Sequence, residues 1–549
     1  MRFRPILSGL PLAPESLLWQ SGSAVASALL LLLTFPPFDL GFLAWIALAP
    51  LLLVIAGGMG PRRAFWLGWL MGVEFTFFAE NWIAHSMTVF GAMLTVVSYA
   101  VALLFAAVLG LFPALFAAVM ARLVNRRGSR ALVLAPVVWA ATEWIRPFVT
   151  GVTWNALGVS QYRNYPVAKL AQYGGVYLIS AVLVAASAAV ALLLHYLKTK
   201  DRALVTSMAA AGICAIAPLL LVRLEGPQRR ELIAQLEGAQ DAVTIVGVQP
   251  NLPPDKTTTA ADLDRNIELT KAALDRSPDK KAGIIIWAES PLILPYEGDV
   301  AVRSKLDKLA NETGSHLLFN SVAREGERHF NSVQTVSPQS GSQGRKRYDK
   351  IRLVPFGEYV PFNAVLKHVV PRVISSESGG FAAGTEAVVN VLKIEGDRGW
   401  VVSSDREGQS IERTTDFVRA GSFICYEAAY PDLVRRFVQN GATLLVNVSN
   451  DAWFGTTAGA RQHLAHAVMR AIENDRDLVR VTNSGISALV TAEGAVVDPM
   501  PPFTAASQRW EARPRRGITI YTRHGDWFAA GCAIATLLAL IIGYAKKSQ

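Results

Sequence analysis

The chain is short of charge. Asp, Glu, Lys and Arg make up 17% of its 549 residues, and hydrophobic residues 52%. A soluble globular protein carries about 25% charged and roughly 45–50% apolar residues. The shortfall excludes a wholly soluble protein, and the same composition excludes a disordered one. Cysteine is scarcer still. Cys214, Cys425 and Cys532 are the only three, so there is no disulfide framework, and no Cys-rich or Cys-His cluster suggests a zinc site. A Gly-x-Ser-x-Gly elbow is also missing, which weakens the case for a serine hydrolase.

What is present in its place is long apolar sequence. A membrane helix needs about 20 mostly apolar residues. Eight runs qualify as candidates, near 16–34, 38–56, 64–84, 92–121, 131–148, 174–197, 203–222 and 527–545. Pro36 and Pro37 leave the limits of the first two the least defined. No small-residue cleavage site follows the first run, and a second run begins at once, so the first reads as an anchor and not as a signal peptide.

The net charge is +10, and a basic balance raises the question of nucleic acid. Position answers it. Arg2, Arg4, Arg62, Arg63, Arg122, Arg126, Arg127, Arg130, Lys198, Lys200, Arg202, Lys546 and Lys547 all fall on one side if eight spans alternate. The opposite connections at 35–37 and 85–91 carry no Lys or Arg, and the one at 149–173 carries only Arg163 and Lys169. This is the positive-inside pattern. It implies cytoplasmic termini, an extracytoplasmic segment between spans seven and eight, and no nucleic-acid partner. The expected division is a seven-span bundle at 1–223, an extracytoplasmic domain at 224–526, and a last span with a cytoplasmic tail at 527–549. Glu74, Glu80 and Glu143 lie in or near spans, where charge is costly and functional by default. Glu143 and Arg146 are i, i+3 on one helix face and are expected to pair.

Residues 224–526 are polar enough to form a folded core outside lipid. Strands are expected at Val243–Val248, Gly283–Ala288, His316–Val322, Ser422–Tyr426, Thr443–Val448, Leu478–Thr482 and Ile486–Thr491. Helices are expected at Ala261–Leu274, Val300–Thr313, Pro431–Gln439 and Ala458–Glu473. Strands alternating with helices indicate an α/β domain with packed layers. Glu395–Arg419 is charged and reads as a surface loop or hairpin. The apolar run Val360–Ile374 is too short to span. It is either a core segment or an arm that meets the membrane.

Cys425 follows an apolar strand and precedes a helix, which is where α/β folds present a nucleophile. A free thiol has a pKa of about 8.5, so it needs a base or a cation near pH 7. No histidine is local. His463 and His466, spaced i, i+3 on a helix, lack a third ligand for a metal. The base is therefore a carboxylate or a lysine. Glu289 ends the most apolar strand of the domain, where desolvation strengthens it as a base. Lys350 lies in Arg347-Tyr-Asp-Lys-Ile-Arg-Leu-Val-Pro-Phe-Gly-Glu358, whose Pro355-Phe-Gly-Glu358 reads as a fixed turn placing a second carboxylate.

Strand-Glu, then Lys, then Cys in this chain order resembles the Glu–Lys–Cys triad of the nitrilase, or carbon–nitrogen hydrolase, superfamily. The phrases Lys350 to Glu358, Cys425-Tyr-Glu427 and Ser449-Asn-Asp-Ala-Trp-Phe-Gly455 narrow the likeness. So do Phe35-Pro-Pro-Phe38, Glu143-Trp-Ile-Arg146 and Trp154-Asn-Ala-Leu-Gly158 in the membrane part. With eight spans, the whole is similar to the bacterial apolipoprotein N-acyltransferase family. Two features depart from it: Ala288 stands where the family usually has Pro, and no Trp follows Gln249-Pro-Asn251.

The resemblance implies a nitrilase-like α-β-β-α sandwich on a bundle of about eight spans in the bacterial inner membrane. It implies acyl transfer from a membrane phospholipid to the α-amino group of a diacylated apolipoprotein, with no cofactor and no metal. Glu289, Lys350 and Cys425 would be catalytic. Glu358 would orient Lys350 or the amine, and Tyr426 and Glu427 would shape the pocket. A membrane-tethered amidase acting on a small amide or nitrile shares the triad. A non-catalytic transporter or scaffold does not need it.

Overall fold

The computed structural model describes residues 16–224, 242–253, 259–276, 281–289, 296–343, 346–355, 357–359, 380–394, 399–405, 408–414 and 417–545. The chain divides into two compact units, 1–224 with 526–549, and 225–525. The apolar run at 360–374, expected as a core segment or a membrane arm, lies outside the described residues.

The first unit is helical. Among the described residues, four helices are long and apolar enough to cross a membrane: Thr95–Arg127, Ser129–Thr150, Ala171–Thr199 and Leu204–Arg223. Three shorter apolar helices cover Leu17–Leu33, Gly41–Ala56 and Trp527–Ile542. The run expected at 64–84 divides. One helix covers Pro61–Ala79, Glu80 closes it by donating its N–H to the Thr76 carbonyl, and a separate short helix covers Trp82–Val89.

Small and polar residues join these helices. A Cβ on Gly68 would lie 2.4 Å from the Pro113 oxygen, and one on Gly72 would lie 2.8 Å from Gly110 Cα. The backbones of Pro61–Ala79 and Leu111–Arg127 touch there, the kind of close approach that small residues permit. Ser187 Oγ accepts from Leu48 N at 3.3 Å and donates to Trp45 O at 3.1 Å, and Ser27 Oγ accepts from Leu51 N at 3.2 Å. The expected Glu143–Arg146 pair is not formed. Glu143 Oε1 accepts from Leu157 N at 2.7 Å and Trp139 Nε1 at 3.3 Å, while Arg146 donates to Trp154 O at 2.6 Å. Both side chains hold the 154–157 backbone, whose amides and carbonyls need partners in this unit, and that demand outweighs a mutual ion pair.

The second unit is built on two six-stranded sheets. Fourteen strands are described: β1 Val243–Gln249, β2 Ile284–Trp287, β3 His316–Glu325, β4 Arg328–Val336, β5 Tyr348–Asp349, β6 Val389–Lys393, β7 Gly399–Asp405, β8 Gly408–Thr414, β9 Phe417–Ile424, β10 Leu444–Ser449, β11 Leu478–Thr482, β12 Ala488–Val490, β13 Val496–Val497 and β14 Ala506–Ala512. One sheet runs β14-β1-β2-β3-β4-β5 and the other β13-β12-β11-β10-β9-β6. Each has a parallel centre, β1-β2-β3 and β9-β10-β11, with antiparallel flanks. The charged stretch from Glu395 holds the hairpin β7-β8.

Alternation along the strands sets the layers. One face of the first sheet (Val246, Val248, Ile285, Trp287, Leu317, Phe319) packs on the helices Ala260–Asp275 and Val300–Thr313. Its other face meets the second sheet: a Cβ on Gly247 would lie 3.1 Å from Val481 of β11, and closer still to the ring of Trp510 on the adjacent strand β14, which fills the space between the sheets there. The helices Pro431–Gln439 and Gly459–Asn474 lie on the second sheet, where Gly421 faces Phe437 and Ala442. The result is four layers, α-β-β-α. Gly247→Ala is expected to force the sheets apart and cost about 1–3 kcal/mol. A thermal unfolding scan of the purified protein would read this as a lower Tm.

Candidate active site

Cys425 stands where β9 ends and a 3-10 turn, Cys425–Ala429, begins. Its φ is +53°. That left-handed conformation costs a non-glycine residue about 1–3 kcal/mol and persists only where the surroundings over-determine it.

Glu427 is one of those surroundings. It is fully buried, and its carboxylate accepts from Ile424 N at 2.7 Å, Ile351 N at 2.7 Å, Arg352 N at 3.0 Å and Tyr348 Oη at 2.7 Å. One side chain thus joins the cysteine turn to the segment that carries Lys350. Burial pushes the Glu427 carboxyl above its ordinary pKa, against the pull of these donors. Tyr426 is half-buried, with its ring edge-on to Tyr430 at 5.3 Å.

Lys350 is 1% exposed. Its backbone is held at both ends, N–H to Asn331 O at 2.8 Å and carbonyl to Gly384 N at 2.8 Å. Gly384 has to be glycine, because a Cβ there would lie 2.1 Å from the Asp349 oxygen. The Lys350 ammonium lies 2.8 Å from Glu358 Oε1 and 3.6 Å from Glu289 Oε1. Burial favours the neutral amine, yet Glu358, Glu289 and Cys425 together hold the pKa above the usual lysine range. Lys350 is a permanent cation here.

The two carboxylates differ in what they have left to give. Asn331 Nδ2 donates to Glu289 Oε1 at 2.9 Å and to Glu358 Oε1 at 2.8 Å. Asn331 is itself oriented by Asn320, which donates to its Oδ1 at 2.6 Å. Glu358 Oε2 accepts from Val354 N at 2.8 Å, so both its oxygens are engaged. Glu289 Oε2 is buried and has no hydrogen-bond partner among the described residues. Of the two, Glu289 has the oxygen to spare for a proton.

The thiol of Cys425 feels both groups. Burial, and then the negative charge of Glu289, push it up to about 12, with Lys350 and the Ser449 hydroxyl pulling the other way. At neutral pH the resting sulfur is protonated.

The structure therefore brings Glu289, Lys350 and Glu358 into one ion cluster, sets Cys425 within its field, and ties Glu427 beneath. Asn331 and His463 belong to the same construction; Asn331 is not evident from sequence, and His463 stands out there only for its spacing from His466, not for its place beside Cys425. Asn331 sits on a strand too polar to stand out, and it meets Asn320 of the recognisable β3 only through their side chains, diagonally across the pair. Both ring nitrogens of His463 have partners: Nδ1 lies 2.9 Å from Asp451 Oδ1, and Nε2 lies 2.9 Å from the Cys425 carbonyl oxygen.

Two family models match this chain: the apolipoprotein N-acyltransferase N-terminal domain over residues 27–189, and carbon-nitrogen hydrolase over residues 242–511. The apolipoprotein N-acyltransferase of Geobacter metallireducens is 31% identical over 538 residues, covering 96% of this chain and 95% of its own. That of Pseudomonas aeruginosa is 30% identical, covering 96% of each. The chain belongs to the apolipoprotein N-acyltransferase family. A solved nitrilase-superfamily structure from Saccharomyces cerevisiae is also similar, at 14% identity and a TM-score of 0.36, covering 50% of this chain and 91% of its own. In this N-acyltransferase family member the carbon-nitrogen hydrolase match falls on the second unit, and Cys425, Glu289 and Lys350 all lie in it.

The protonated thiol has a measurable consequence. With Cys214 and Cys532 changed to Ser, alkylation of Cys425 by iodoacetamide should rise about tenfold per pH unit from pH 7 to pH 9. Peptide mass spectrometry would follow it. A plateau by pH 8 would contradict the raised pKa.

Proposed function

We propose that this chain transfers a fatty acyl chain from a membrane phospholipid to the N-terminal α-amino group of a diacylated apolipoprotein, through an acyl thioester on Cys425. The observation that carries this is the division of labour around Lys350: one carboxylate fully engaged, the other with an oxygen unpartnered, and a protonated thiol in reach of their field.

In the first half-reaction Glu289 Oε2 takes the thiol proton and the thiolate attacks the ester carbonyl carbon. Negative charge grows on the carbonyl oxygen, and the Lys350 ammonium stabilises it in a site largely closed to water. The ester C–O bond breaks, Glu289 returns its proton to the glycerol oxygen, and a lysophospholipid leaves. In the second half-reaction the lipoprotein amine attacks the thioester and Glu289 accepts the amine proton. The sulfur departs as thiolate and is reprotonated by Glu289. Glu358 holds Lys350 in place and Glu427 holds the two loops together, so neither needs to touch substrate. Tyr426, beside the sulfur, shapes the approach.

The placement follows from the charge pattern. Four helices are long and apolar enough to cross a membrane, and the three shorter apolar helices with Pro61–Ala79 support reading eight crossings in all. The cation distribution then puts both termini in the cytoplasm and the domain in the periplasm of a bacterial inner membrane. Residues 1–223 supply seven spans, 224–526 the catalytic domain and 527–549 the last span. Both substrates are lipid-anchored, and drawing an acyl chain into water costs about 0.8 kcal/mol per CH₂. A catalytic domain tethered at the membrane surface avoids most of that cost.

Purified protein given labelled phospholipid and a diacylated lipopeptide is expected to place label on the peptide amine. Glu289→Gln should slow transfer by about 10²–10⁴-fold, and Cys425→Ser should abolish it. Label released only as free fatty acid would replace this reading with a hydrolase. Normal transfer by Cys425→Ser would end it.

A further inference from the structure

We propose that His463 is a positioning residue for the nucleophile and acts through the Cys425 carbonyl. The inference rests on Cys425 being the nucleophile. A carbonyl oxygen can only accept, so the 2.9 Å contact requires the proton on Nε2 of His463. The other ring nitrogen faces a buried polar cluster. Asp451 Oδ1 lies 2.9 Å from Nδ1 and Arg480 Nη2 lies 3.0 Å from it. Arg480 also donates to Asp451 Oδ2 at 2.7 Å, and Ser449 Oγ donates to Asp451 Oδ1 at 3.0 Å. The side chains of His463, Asp451 and Arg480 are all 0% exposed. Arg480 keeps the Asp451 carboxyl far below the usual carboxylate range despite its burial.

A buried charged cluster is a poor source of net stability, and besides Arg480's bond to Asn447 this one reaches the Cys425 carbonyl oxygen. That atom belongs to the residue held at φ +53°. Pro36–Pro37 is the one cis bond among the described residues, and the peptide Cys425–Tyr426 is a rigid trans plane. Holding its oxygen toward His463 directs the Tyr426 N–H the opposite way and fixes the direction in which Cys425 projects its sulfur. The helix Gly459–Asn474, β11 and the turn Asp451–Phe454 thereby set the angle of attack through one hydrogen bond. The phrase Ser449-to-Gly455 thus supplies Asp451 to this cluster as well as the Ser449 hydroxyl that acts on the thiol.

The test contrasts two amides in the full-length, detergent-solubilised protein. In His463→Gln the side-chain nitrogen reaches the place of Nε2 and can donate to the Cys425 carbonyl. In His463→Asn it reaches only the place of Nδ1, toward Asp451. The expected result is that His463→Asn lowers the kcat of acyl transfer about 10²-fold, with KM for phospholipid unchanged and Cys425 alkylation slowed in step. His463→Gln should restore most of both. If His463→Asn does not fold, His463→Phe takes its place with the same expectation. Equal activity of the two amides, or a loss that follows Tm alone, would overturn the inference and leave His463 a packing residue. Cys425→Ser run beside them separates the two claims: transfer by that variant would remove the nucleophile assignment itself.

Discussion

A buried ammonium between two carboxylates is the interaction on which the site depends. An unpaired ammonium in such a place would shed its proton to escape the cost of desolvation. Lys350 keeps its proton because Glu358 and Glu289 flank it, and the three charges sum to −1 before the thiol is counted. That sum matters. In the proposed mechanism it lets the cluster take up a proton without becoming a net cation, while the ammonium still presents a positive charge to a developing oxyanion. Asn331 completes the arrangement by holding the Oε1 atom of each carboxylate, which leaves the Oε2 atoms to differ. One is closed by the Val354 N–H, and the other is left for chemistry.

The second constraint is mechanical. The cysteine is held in a costly backbone conformation by contacts that arrive from different parts of the unit. Glu427 reaches it through the Ile424 N–H and simultaneously grips Tyr348, Ile351 and Arg352, so the Lys350 segment cannot shift without the cysteine turn. Two residues after Cys425, Glu427 ties the cysteine turn to the Lys350 segment. Strain stored at the turn is thus paid for by a carboxylate that never needs to meet substrate.

How much of this is legible in the chain depends on where the information lies. The helices Val300–Thr313 and Pro431–Gln439 are readable to the residue because their ends are chemical: Asp299 caps the first and Gly314 closes it, and Pro431 opens the second. The apolar strands β1, β2, β3, β10 and β11 are readable by composition. Strands β4 and β14 are not, because their polar side chains are satisfied by neighbours no local pattern shows, and β5 is too short to carry a period. Expecting Ser422–Tyr426 as a strand runs two residues past the break that matters, since Ile424 is extended and Cys425 is not. Glu289, Lys350 and Cys425 are visible as reactive types in a telling order. Asn331 and His463 act through an amide and a carbonyl far away in sequence, which only tertiary structure can place. Glu143 and Arg146 mislead for the same reason: helical spacing makes them neighbours, but the 154–157 backbone is the stronger claimant for both.

The central claim is that Cys425 carries the acyl chain between two lipid-bound substrates. The most direct measurement is the intact mass of the protein after incubation with a phospholipid of defined chain and no acceptor. One added acyl group on Cys425, lost on treatment with hydroxylamine and absent from Glu289→Gln, is the predicted result. Continued release of lysophospholipid with Cys425 unmodified throughout would contradict it.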